Sequence, residues 1–140
     1  MFPQVALSTV QREDVQRIAE WLSDRDISTS WYGLDDDGQP LHIGYSPQQI
    51  LSASATEWSQ VFENEYRKIY SIHSPEGEHI GEGQLVIEWS LQEAQLFILI
   101  GRKDLWHLHY GTSALMLMLD EVFTNLELHR AWVDVPEYNA

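Results

Sequence analysis

Apolar positions change period along this chain, and each change marks an element. Val15, Ile18, Ala19 and Leu22 recur at i, i+3, i+4 and i+7, which predicts an amphipathic helix over residues 11–23. Val5-Ala6-Leu7 ahead of it reads as a short strand. Residues 24–46 keep no period and are expected to be irregular. Asp35-Asp36-Asp37-Gly38 inside them is a turn sequence, because Asp and Gly tolerate left-handed backbone. Ser46-Pro47 opens a helix, with Ser as cap and Pro in the first turn. Leu51, Trp58, Val61 and Phe62 give that helix one apolar face.

Beyond residue 66 the period shortens. Residues 67–74, 79–87 and 94–100 read as strands, joined by Pro75-Glu76-Gly77 and by a polar turn around residues 90–93. Together they form an antiparallel meander. Leu115, Met118, Leu119, Val122 and Leu126 then stripe a helix, and residues 131–135 form a final strand closed by Pro136. The order predicts an α+β domain over 1–140, a mixed and mainly antiparallel sheet flanked by helices, with the last helix crossing between two strands.

Composition narrows the chemistry. The 140 residues are 44% hydrophobic and include 6 Trp and 6 Tyr, enough for a real core. No cysteine is present, which excludes disulfides, thiolate catalysis and Cys-ligated zinc. No stretch approaches the roughly 18 apolar residues of a membrane span. Met1-Phe2-Pro3-Gln4 does not open a signal peptide, so the expectation is a cytoplasmic protein with no membrane partner. The 22 acidic residues against 8 basic ones give a formal charge of −14. Such a surface repels nucleic acid and favours cationic partners.

Chemistry concentrates in the stretch "GRKDLWHLHYGTSALMLML", residues 101–119. It runs from a strand through a charged loop into an apolar helix. Helix starts leave backbone N–H groups free and carry partial positive charge, so a loop around one holds phosphate well. Gly111 lets backbone approach a ligand, and Thr112 caps the helix or donates to a phosphate oxygen. His107 and His109 form a His-x-His pair without an evident third ligand, so no metal is assigned. They are expected to be solvent-exposed or structurally bonded.

Residues 96–140, with Ile100-Gly101, Trp106, Tyr110-Gly111-Thr112, Ala114 and Asn139, resemble the cofactor-binding core of the GNAT acetyltransferases. Within that superfamily they look like the branch containing ribosomal-protein alanine acetyltransferases. There the corresponding stretch reads Trp-Gly-Lys-Gly-Tyr-Gly-Thr before the helix. The resemblance extends upstream through Ile80-Gly81 and implies an acyltransferase that uses acetyl-CoA. The diphosphate would rest on the loop of Leu108, His109, Tyr110, Gly111, Thr112 and Ser113. The pantetheine would pair with the strand carrying Ile98 and Ile100, and Asn139 would contact the cofactor. The implied acceptor is a small-molecule or peptide primary amine, and the acidic surface suits a cationic one.

The departures from the family pattern matter as much. His107 and His109 stand where the family has glycines. Gln95 stands where it often has a Glu base. Glu82, Glu88, Glu93 and His79 lie nearby, but the carboxylates read as a solvated strand or turn face and His79 as a surface imidazole. No catalytic residue is assigned. The sequence ends at Ala140, ahead of a helix and two strands that the family normally adds. This predicts a C-terminally truncated domain whose 131–135 strand, with Trp132, is a bare edge that draws a second copy into a homodimer. The competing expectation is a degenerate, non-catalytic relative that acts as a CoA-binding or interaction module.

Overall fold

The computed structural model of the chain describes residues 2–133. A five-stranded sheet runs β1 (Ala6–Ser8), β2 (Arg67–His73), β3 (His79–Glu88), β4 (Glu93–Ile100) and β5 (Arg130–Val133), in that spatial order. The pairs from β1 to β4 are antiparallel and β5 joins β4 in parallel. The meander and the crossing helix are therefore as the alternation predicts.

Pleating assigns the faces. Tyr70 opposes Gly83, and Ser71 opposes Glu82, so the two pairs point to opposite sides. On the Gly83 side lies α5 (Tyr110–Asp120), through buried Ala114 and Met118. A Cβ built on Gly83 would lie 2.5 Å from the Met118 sulfur, so only glycine lets this helix sit so close. The Glu82 side carries α1 (Arg12–Leu22), whose Asp14 accepts a hydrogen bond of 2.8 Å from the Ser71 hydroxyl. Val10, Val15, Ile50, Phe62 and Ile69 form a smaller apolar cluster on that side, beside α3 (Pro47–Ile50) and α4 (Ala55–Phe62).

Several boundaries differ from the sequence reading. The first strand is shifted by one residue. Residues 24–46 are not wholly irregular, because α2 (Arg25–Ser30) forms there on an Asp24 cap whose side chain accepts from the Asp26 N–H at 2.9 Å. The helix expected after Ser46 is two. Ser54 caps α4 by accepting from the Glu57 N–H at 3.2 Å, which separates α4 from α3. The last helix starts at Tyr110 instead of near Thr112, and its final turn widens to a π-helical segment, Glu121–Asn125. Met118 and Val122 of the predicted stripe are fully buried. The acidic turn is as expected: the Asp35 side chain accepts from the N–H groups of Asp37 and Gln39, both at 2.9 Å.

Candidate active site

The site is organised by β4. The Gly101 N–H donates to the Ile80 carbonyl, and antiparallel alternation then directs the main-chain groups of Leu99 and Phe97 toward β3. Ile98 therefore faces the β5 side. Among the described residues, pairing between β4 and β5 runs from Glu93–Arg130 to Leu96–Val133. No described strand residue stands opposite Ile98. The Ile100 carbonyl is engaged instead by the indole N–H of Trp106 at 2.8 Å and of Trp31 at 3.4 Å.

The loop after β4 is held by packing and charge. Gly101 lies under the Trp21 ring, which a Cβ would meet at 2.1 Å. Arg102 pairs with Asp104 and Glu78. Lys103 pairs with Asp24 at 2.8 Å and Asp26 at 3.2 Å. Hydrogen bonds to these acids raise both cations above their ordinary values, and the Asp24 and Asp104 carboxyls are lowered in return, each first through its own bond to Lys103 or Arg102. Both cations are thus already paired with carboxylates, unlike the main-chain amides at the start of α5.

Those amides are available. His109 precedes α5 without a side-chain cap, and the Ser113 N–H is bonded to its carbonyl at 3.0 Å. The N–H groups of Tyr110, Gly111 and Thr112 lie ahead of the first i→i−4 bond. The buried Ser113 hydroxyl has no hydrogen-bond partner. His107 and His109 are exposed and left-handed, with φ of 65° and 71°. Both angles lie in the region that favours glycine. The Phe2 ring meets the His109 ring edge-on, with centroids 5.0 Å apart. Leu108 is 52% exposed.

On the opposite face of the sheet the polar groups are buried, which corrects the expectation for two residues. Glu82 is wholly inaccessible instead of lying on a solvated face. Its Oε1 accepts from the Tyr45 hydroxyl at 2.5 Å, and its Oε2 faces His42 Nε2 at 3.0 Å and Gln84 Nε2 at 3.2 Å. Burial and the Glu82 carboxylate push the Tyr45 phenol well above its ordinary value, so it stays a donor. His79 is likewise no surface imidazole. Its side chain is 2% exposed against Trp21, and burial lowers it to about 4 despite nearby Asp14. As a neutral ring it accepts from Arg17 through Nδ1 at 3.0 Å, so its approach to Asp14 is no ion pair.

Of the remaining carboxylates Glu88 is solvated as expected and accepts from the Ser90 hydroxyl, whereas Glu93, 3.8 Å from Arg130, has a side chain only 18% exposed because it opens β4 between β3 and β5. Gln95 pairs with Trp132 across β4 and β5. Among the described residues, no group of three or more His, Asp or Glu side chains is placed to hold a metal. A groove of about 520 Å³ opens between α1, α2 and residues 34–48, away from the start of α5. His42 and Tyr45 escaped the sequence reading. The one hint was an apolar stretch with His and Tyr, Leu41-His42-Ile43-Gly44-Tyr45, inside an otherwise polar segment.

A model of the Acetyltransferase (GNAT) domain matches residues 4–140. The chain belongs to the GNAT acetyltransferase family. Acyltransferase chemistry with acetyl-CoA as donor comes with that membership. The fold is also that of spermidine N-acetyltransferase from Vibrio cholerae, solved in complex with CoA and spermine: TM-score 0.68, 18% identity, covering 93% of this chain and 70% of that one. A probable acetyltransferase gives TM-score 0.71 at 16% identity, over 93% of this chain and 69% of the other. A chimera of the Vibrio cholerae enzyme and hSSAT gives 0.66 at 19%, over 97% and 73%. A search of curated proteins by sequence finds no match. Asn139, expected beside the cofactor, lies outside the described residues. No described helix is long and apolar enough to cross a membrane.

Proposed function

We propose that the chain transfers the acetyl group of acetyl-CoA to a primary amine of a cationic acceptor, with a polyamine as the first candidate. The observation that carries this reading is the start of α5. Uncapped amides of Tyr110, Gly111 and Thr112 and the unpartnered hydroxyl of Ser113 stand together at the end of the loop from β4. They fit a diphosphate, with Leu108 and His109 as the adjoining loop. Ile98 supplies the main-chain groups for the pantetheine. Ile100, whose carbonyl serves two indoles, contributes mainly as the wall of that strand. The charge of −14 supports a cationic acceptor, as do fold relatives described as spermidine N-acetyltransferases.

A peptide amine, as in the ribosomal-protein alanine acetyltransferase branch, is the finer reading of the same site. The test is thiol release from acetyl-CoA with spermidine, spermine and a peptide beginning with alanine. Acetylation of a polyamine supports the first reading, and acetylation of the peptide alone supports the second.

The non-catalytic alternative draws on one specific feature, the left-handed His107 and His109 at the phosphate approach. Acetyl-CoA binding with no thiol release above background for any amine would favour it.

A further inference from the structure

Glu82 poses a question that acetyl-CoA binding does not answer. A charged side chain buried to 0% is costly unless its acceptor sites are filled. Tyr45 and Gln84 both donate to it, and His42 Nε2 stands 3.0 Å from its Oε2. A carboxyl that already accepts from two donors is satisfied as a carboxylate, and facing that form His42 carries its proton on Nε2. Nδ1 is then the bare, lone-pair nitrogen. It is buried and has no hydrogen-bond partner. An orphaned acceptor inside a satisfied polar network calls for an explanation.

Its position supplies one. The His42 ring lies among Trp31, Tyr32 and Tyr45, with centroids at 6.2, 5.5 and 4.7 Å. Tyr32 in turn meets Phe97 at 6.1 Å. Phe97 follows Leu96, the last β4 residue paired with a described residue of β5. The imidazole is thus one ring, Tyr32, removed from Phe97, the neighbour of Ile98 on β4, on the face opposite α5.

We propose that His42 is the base of the reaction, with Glu82 and Tyr45 as its positioning residues. This rests on the acetyl-transfer reading given above. Nδ1 takes one proton from the acceptor ammonium, and the amine lone pair attacks the thioester carbonyl. The C–N bond forms, the C–S bond breaks, and the CoA thiolate takes the second nitrogen proton. The imidazolium, held by Glu82, later releases its proton to solvent.

The test is chemical rescue. His42→Ala should lower kcat by roughly 10²- to 10⁴-fold while acetyl-CoA affinity holds. Added imidazole should restore turnover, and pyrazole, of the same shape but feebly basic, should not. Equal rescue by both, no rescue by imidazole in a folded variant, or an unchanged kcat each overturn the proposal. Should His42→Ala fail to fold, His42→Gln retains a donor for Glu82. It must show the same fall in kcat, and wild-type turnover in it overturns the assignment. If the wild type acetylates no amine, the acetyl-transfer reading has failed separately. The pair is then judged by ¹⁵N NMR of His42: a bare Nδ1 supports it, and a protonated Nδ1 overturns it.

Discussion

Replacing His107 by glycine should make this protein more stable, although glycine ordinarily costs stability. The native φ of 65° lies in the region where an L side chain crowds its own backbone, at a cost of roughly 1–2 kcal/mol. Glycine removes that cost but adds unfolded-state entropy of roughly 0.5–1 kcal/mol. The net gain centres on about 0.75 kcal/mol, within a range of about 0–1.5 kcal/mol. His109 has the same strain at φ 71°, but its ring also meets Phe2, so His109→Gly gains less. The two sites are near neighbours and need not add. For a chain of this size 1 kcal/mol moves Tm by about 3–6 °C, so the double variant should melt about 2–8 °C higher. Differential scanning calorimetry reads this directly, and the alanine pair is the control. Alanine loses the ring but keeps the left-handed strain, so it should gain nothing. Equal stabilisation by alanine and glycine, or destabilisation by His107→Gly, refutes the strain argument. The glycine pair should also tighten acetyl-CoA binding by clearing the phosphate approach. Weaker binding would mean that an imidazole assists the phosphate.

Other outcomes follow from the same structure. His79 is lowered to about 4 by burial, among Asp14, Arg17, His73 and Trp21. The folded state therefore takes up its proton later than the unfolded chain does. Stability tied to His79 is full above about 6.5 and is lost as pH falls toward about 4. His79→Gln should flatten the fall in Tm over that window, and an unchanged difference from wild type counts against the assignment. Gly101→Ala puts a Cβ 2.1 Å from the Trp21 ring and should cost about 1–3 kcal/mol in denaturant melts. Among the described residues β5 is the edge of the sheet and its Trp132 is 51% exposed, so the chain is expected to pair through that edge. Sedimentation should show a dimer that Trp132→Lys dissociates, and a wild-type monomer across the micromolar range sinks the idea.

How far the sequence was legible depended on the range of the forces involved. The β2–β4 meander was readable because alternation and turn chemistry are local. Gly77 at φ 87° closes the turn that Pro75-Glu76-Gly77 announces. α2 went unseen because six residues carry too little pattern. Its identity as a helix depends on burying Ile27 against a core assembled elsewhere. The split of α3 from α4 was written in Ser54 and Glu57, a capping pair that the expectation of one long helix passed over. Glu82 could not be placed by periodicity. The partners that neutralise its burial come from Tyr45 and His42, 37 and 40 residues away. His107 and His109 were the reverse case. They stand where the family pattern has glycines, and their positive φ angles are the kind that favours glycine.

The start of α5 is where acetyl-CoA must bind for the chain to transfer acetyl groups. Isothermal titration of the chain with acetyl-CoA, beside Gly111→Asp, tests this most directly. The prediction is saturable binding to the wild type and none to the variant, since an added carboxylate would stand among the amides that hold the diphosphate. No heat of binding in the wild type at millimolar acetyl-CoA, or undiminished binding by Gly111→Asp, would contradict it.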